Sequence, residues 1–378
     1  MSLFTPASLL LSKIRTHLRH VWQLSLPYFR SEERWKARFL LLACIGLNLG
    51  MVYVLVLLND WNRVFYDALQ NRDEAVFWEQ LQMFGILATA FIVVAVYRFY
   101  LTQILQIRWR AWMTRDFIRR WSTQNIFYQL ELSQFATLGE NSSRADNPDQ
   151  RIQEDIQLFT SDTVGLSLGL LDALVTLGSF VGILWMLSGS FDFQYQDYVF
   201  TIPGFMVWMA LIYALGGSLI GHFLGRSMSP LNYAQQRLEA NFRHHLMRVR
   251  EYSEAIALDK GAEFERASLQ KRFTSVLDNF LNLLKVQKRF TWFSSAYGQA
   301  AVVFPMLVAA PRYFSGAIQL GELMQISSAF GQVQESLSWL VNNYPRLASW
   351  TATTQRLHGF LEQMETLRAI SYAVVQAP

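Results

Sequence analysis

The chain has 378 residues, of which 52% are hydrophobic, 15% aromatic and 16% charged, with a formal net charge of +4. The charged share lies well below the roughly 25% of soluble domains, which excludes an ordinary soluble fold and implies lipid-facing helices. A lone cysteine, Cys44, excludes an intramolecular disulfide and a CxxC metal or redox centre.

The N-terminus carries no basic stretch running into an apolar core and a cleavage site, so it reads as a retained segment with an interfacial helix rather than a leader. A helix needs about 20 apolar residues to cross the hydrocarbon core. Such runs follow in order at Phe39 to Leu58, Leu81 to Tyr97, Val164 to Leu187, Tyr198 to Gly225, Phe290 to Ala310 and Leu320 to Val341. The second ends at Arg98, long enough to snorkel to an interface. The third holds one acid, Asp172, and the sixth, the least hydrophobic, holds Glu322 and Glu335.

Lys and Arg fall unevenly between these runs. Seven precede the first, eight lie in Arg98 to Asp162, twelve in Arg226 to Arg289 and three in the tail, against Arg63, Arg72 and Arg312 elsewhere. The positive-inside rule places the first group in the cytoplasm together with both termini, which predicts an even number of spans. The predicted fold is all-α, with six transmembrane helices extended into the cytoplasm as two helical hairpins. It divides into a cytoplasmic segment over 1–38, a six-helix membrane domain over 39–350 and a cytoplasmic tail over 351–378. Arg108-Trp109-Arg110-Ala111-Trp112 reads as a helix leaving the headgroup zone, not as a nucleic-acid surface.

The two long inner loops are poor in Gly and Pro except at Gly139 to Pro148 and Lys260-Gly261. Apolar residues recur at helical spacing at Leu231, Leu238, Phe242 and Leu246, then at Phe273, Val276, Leu277 and Phe280. Arms of 25–30 residues at about 1.5 Å each would reach about 40 Å.

Ionisable groups inside a span are costly and point to function. Gln325, Ser328, Gln332 and Glu335 share one face of the sixth helix, and Trp339 and Asn342 extend it. That face either glues helices together by hydrogen bonds or lines a water-filled substrate pathway. Asp172 is either a partnered structural acid or a transport residue. No GxxxxGK[ST], HExxH or GxSxG occurs, so the chain is not expected to be an enzyme, and ATPase activity would need a partner domain. His244-His245 point about 100° apart on a helix and make a poor metal pair.

Asn59-Asp60-Trp61-Asn62 with Phe65-Tyr66-Asp67-Ala68-Leu69 resembles the SbmA/BacA family of peptide transporters and its bacterial fused permease/ATPase relatives. Arg108-Trp109-Arg110 is similar to the same group. So are Asn147-Pro148-Asp149-Gln150-Arg151-Ile152 with Glu154-Asp155, and Leu320-Gly321 with Phe330-Gly331-Gln332-Val333. The NPDQ string with its acidic pair also resembles the peroxisomal acyl-lipid ABC transporters, and the likeness runs from Pro27 to Glu362.

The resemblance implies an ABC exporter-type transmembrane domain, a homodimer around a central cavity, and movement of peptides or bulky amphipathic solutes. It implies that tips near Asn147 to Asp155 and Glu254 to Glu263 meet nucleotide-binding domains, so that ATP is held by a partner and no cofactor by this chain. Glu239 matches one of the membrane glutamates of the proton-driven importers, whereas Asn232 and His245 stand where acids are expected. Ser253-Glu254-Ala255-Ile256-Ala257-Leu258 is instead similar to the ATP-driven branch. The leading expectation is a membrane subunit relying on a separate or removed ATPase domain. The alternatives are a self-sufficient proton-coupled importer and a non-transporting scaffold whose stalks recruit cytosolic partners.

Overall fold

The computed structural model describes residues 7–136, 147–195 and 198–376, so residues 139–146 of the expected break at Gly139 to Pro148 lie outside it. Helix α1 (Ala7–Arg30) buries Leu24 and Tyr28 and leaves Leu18 and Trp22 exposed. Helices α2 (Arg34–Asn71) and α3 (Glu74–Ser122) follow, joined by two residues. Arg72 adopts a left-handed φ of 55°, which turns the Arg72 and Asp73 N–H groups back onto the Leu69 and Ala68 carbonyls. The Asp73 carboxylate then accepts from the Val76 N–H at 3.1 Å and caps α3. So short a turn forces the helices antiparallel, and Trp61 Nε1 donates to the Gln80 carbonyl at 2.8 Å across them.

A 3-10 turn (Thr123–Asn125) leads to α4 (Ile126–Ala136). After the undescribed stretch come α5 (Pro148–Gln150), a π-helical turn (Arg151–Asp155) and α6 (Ile156–Ser188). Strands β1 (Ser190–Tyr195) and β2 (Tyr198–Pro203) pair antiparallel, with Phe191 opposite Ile202 and Phe193 opposite Phe200. Then come α7 (Phe205–Gly225), α8 (Met228–Glu251), α9 (Ser253–Leu258), α10 (Ala262–Phe314), α11 (Leu320–Asn342) and α12 (Tyr344–Gln376).

The expected fourth span therefore starts late. Tyr198 to Pro203 is a strand, because its β-branched and aromatic residues suit a pleated chain, and the helix begins only beyond Gly204, at φ +64°. Among the described residues, five stretches are long and apolar enough to cross a membrane: Arg34–Asn71, Glu74–Leu132, Pro148–Ser188, Phe205–Glu251 and Ala262–Phe314. The sixth expected run is a helix, α11, but its Ser, Gln and Glu content keeps it out of that set.

The chain forms two compact units: Met1–Gly182 with Glu335–Pro378, and Ile183–Gln334. In the first, Tyr28 stacks on Trp109 with centroids 5.7 Å apart, and Trp109 meets Phe159 edge-on. Met113, Phe117, Ile126, Ile156, Leu357 and Phe360 complete a core that joins α1, α3, α4, α6 and α12. Trp109 is 2% exposed, so the Arg108-Trp109-Arg110 string seats a core tryptophan rather than a headgroup anchor. Burial, with Glu33 adding to it, pushes the Tyr28 phenol up to about 12 against the pull of Arg108.

In the second unit, Tyr213 of α7 and Tyr297 of α10 stack at 4.5 Å, and each hydroxyl donates to the other residue's carbonyl, at 2.6 and 3.0 Å. Gly217 allows this, since a Cβ there would collide with the Tyr297 ring. Phe304 and Phe330 pack around the pair. Further along, α8 and α10 pack antiparallel: Asn279 donates to the Leu231 carbonyl (3.1 Å) and to Gln235 Oε1 (2.8 Å). Phe242 meets Phe273, and His245 Nε2 lies 2.8 Å from Glu265.

Candidate functional site

The NPDQ string occupies the start of the helix that becomes α6. Pro148 stands in its first turn, where the missing N–H costs nothing, and Asp149 adds a carboxylate near that positive end. Arg151 to Asp155 then widens into a π-helical turn, the Ile156 N–H reaching back to the Arg151 carbonyl. Such turns are rare and gather at functional sites.

The turn sorts its side chains sharply. Asn147, Asp149, Gln150 and Glu154 are exposed, and Gln150 Nε2 donates to Glu154 Oε2 at 3.0 Å. Arg151 and Asp155 are buried, at 5% and 1% exposure. The Asp155 carboxylate accepts from Arg151 Nη1 at 2.6 Å and from Arg356 Nε and Nη2 of α12 at 2.9 and 2.6 Å. Arg356 also donates to Thr353 Oγ1 at 3.1 Å. A fork of this kind satisfies a buried carboxylate that would otherwise be very costly to keep ionised. The acidic pair was expected to face a partner together, yet only Glu154 is free to do so, because one helical step carries Asp155 inward.

The same two helices are tied again further along. Arg346 Nε donates to Asp162 at 2.7 Å, and Trp350 Nε1 donates to Thr163 Oγ1 at 2.8 Å. Gly165 and Gly169 of α6 lie against the side chains of Arg346 and Trp339. None of Asp162, Arg346, Trp350 or Arg356 stood out in the sequence. The available signal was that Arg346 and Arg356 are isolated cations in a tail with few charges.

The remaining candidates are scattered. Asp172 lies 3.6 Å from Arg98 Nη1, so the cation expected to snorkel instead pairs with the lone acid of the third run. On α11, Gln325 is buried, Ser328 and Gln332 are half-buried and Glu335 is exposed, whereas Ile326, Phe330 and Val333 are fully buried. Glu239 is exposed on α8 and accepts from Gln235 Nε2 at 2.9 Å. Glu254 is exposed in the first turn of α9; Tyr252 before that helix, Leu258 at its end and Phe264 at the start of α10 are exposed as well. Among the described residues no group of His, Cys, Asp or Glu is arranged to hold a metal ion.

Residues 24–314 match the model of ABC transporter transmembrane region 2. The chain belongs to that family. It is 32% identical over 339 residues to the inner membrane ABC transporter ATP-binding protein YddA of Escherichia coli, a match covering 90% of this chain and 59% of that protein. It is 33% identical over 349 residues to ABC transporter D family member 2, chloroplastic, of Arabidopsis thaliana, covering 92% of this chain and 46% of that one. An uncharacterized ABC transporter ATP-binding protein of Haemophilus influenzae is 32% identical over 307 residues, 81% of this chain and 50% of its own length. The chain thus spans about half the length of the curated relatives it matches. It is a multi-pass, helical membrane protein, and its relatives from Escherichia coli and Haemophilus influenzae are named as ATP-binding proteins.

Proposed function

We propose that the chain is the membrane half of a transporter moving peptides or bulky amphipathic solutes across a bacterial inner membrane, powered by an ATP-binding domain carried separately or elsewhere in a longer protein. The observation that carries this reading is the division of the π-helical turn. Asn147, Asp149, Gln150 and Glu154 face outwards, while Arg151 and Asp155 anchor them from beneath to α12. A surface built to push or be pushed needs such an anchor, whereas a plain solvated turn does not. Glu254 on α9, one helical turn from exposed Leu258, forms a second docking point.

In this reading α11 is the sixth span, its polar side chains facing a cavity in a homodimer rather than lipid. Both termini and both helical hairpins are cytoplasmic in this reading, which the distribution of basic residues supports. Gln325, Ser328 and Gln332 line the substrate path, and Glu239 stands where the fourth span enters its stalk. Thiol labelling of single-cysteine variants should reach Arg72→Cys only from outside and Gly261→Cys only from inside.

The deciding experiment is uptake of a fluorescent amphipathic peptide by proteoliposomes holding the purified chain. Uptake that awaits a P-loop partner and ATP, and that Glu154→Arg with Gln150→Glu abolishes while dimers persist, supports the reading. Uptake by the chain alone under a pH gradient, lost in Glu239→Gln, would replace it with a proton-coupled importer.

A further inference from the structure

Three histidines have no part in the site above, yet the fold gathers them where the first and last helices meet. His20 of α1 lies parallel to His358 of α12, ring centroids 3.9 Å apart and planes 18° apart. One turn earlier on α1, His17 meets Trp350 of α12 edge-on at 4.7 Å. His358 Nε2 sits 2.9 Å from Gln23 Oε1, so with that amide orientation it donates its proton there. Among the described residues, both ring nitrogens of His17 and Nδ1 of His20 are buried without a hydrogen-bond partner. Neutral rings pack well in such a place. Charged ones do not, because a stacked pair would hold two like charges at contact distance and an imidazolium needs two acceptors.

We propose that His17 and His20, packed against Trp350 and His358, form a proton-operated clasp that holds α1 to α12 at neutral pH and releases it in mild acid. The surrounding charges leave this bias in place. On α1, Arg19 opposes a further proton. On α12, Glu362 favours one, Arg346 is engaged by Asp162 of α6, and Glu365 is engaged by Arg120 of α3. Glu33, ahead of α2, with Arg108 and Arg115 of α3, lies near Tyr28, about two turns along α1 from the pair. Burial is the first cause holding His17 and His20 below the ordinary histidine value of 6.5, with the neighbouring histidine next.

Docking lowers these values, so docking excludes protons. The clasp is at full strength above 6.5 and weakens as pH falls below it. Its consequence rests on the transport reading: Arg356, two residues before His358, is the residue that holds Asp155. Loosening α12 there would slacken the anchor beneath the proposed docking face and make coupling sensitive to cytoplasmic acidification.

The clasp can be tested without any substrate or ATPase. The full chain, with Cys44→Ser, carries spin labels at Leu18→Cys and Gln355→Cys in lipid nanodiscs, and the label separation is measured by pulsed electron resonance at about pH 8 and about pH 5. The expected result is one narrow distance at the higher pH and a separated population at least about tenfold larger at the lower. In His20→Phe, which keeps a flat ring without a titrating nitrogen, and in the triple variant His17→Gln, His20→Gln, His358→Gln, the narrow distance should persist at both. An unchanged distance in the parent would overturn the proposal. So would a pH response surviving in both variants, or helices already apart in both at the higher pH, since ring packing alone would then be the fastening.

Discussion

Asn147–Asp155 and Glu254–Glu263 are both short, acidic and bounded by helix breakers, and both interrupt long helical stretches. They are held in different ways. The first is fixed from below, with Asp155 buried between Arg151 and Arg356 in a unit whose core reaches from α1 to α12. The second closes on its own backbone: the Gly261 N–H returns to the Ile256 carbonyl at 2.9 Å, and its ion pair, Arg266 to Glu263, is exposed on both sides. Acid content alone therefore says little about a turn's rigidity. What matters is whether a distant cation reaches it, and that separates a turn able to transmit force along a helix from one able only to present side chains.

The comparison predicts a steep gradient of effects. Asp155→Ala strands the buried Arg151, unfastens Arg356 and should cost about 3–5 kcal/mol, visible as a large fall in the thermal midpoint in detergent at fixed scan rate. A loss below about 1 kcal/mol would place the two turns in the same class. Gly217→Ala drives a methyl into Tyr297 and should cost about 1–3 kcal/mol, showing that the second unit depends on close helix approach rather than on buried charge. Asn279→Ala removes the two bonds to α8 and should cost about 1 kcal/mol, measured in the same melts. Glu254→Ala should stay within about 0.5 kcal/mol while impairing ATP-driven uptake; a marked loss of stability would mean that α9 is a structural support.

Most helices were legible because long apolar runs and basic flanks have few other uses. The β-hairpin was not, since Tyr198 to Pro203 is as apolar as the helix after it, and only Pro203 and Gly204 betray the break. α11 was legible as a helix with a polar face, but not as a span of ordinary apolarity. At the candidate site, the motif string does not separate its inward members from its outward ones. Asp155 and Glu154 are neighbours in sequence, and the partner that divides them lies 201 residues from Asp155. Arg98 and Asp172 likewise find each other only through tertiary packing, which local periodicity cannot register.

The reciprocal tyrosine bonds between α7 and α10 restrict which motions those helices can make. Because Tyr213 and Tyr297 each supply one hydroxyl and one carbonyl, both bonds join a single pair of residues. Sliding one helix past the other by even one residue, about 1.5 Å, lengthens both together. Tilting about that contact displaces its atoms least. The pair is therefore a pivot: it forbids a piston stroke of α7 against α10 and leaves rocking as the movement available to them.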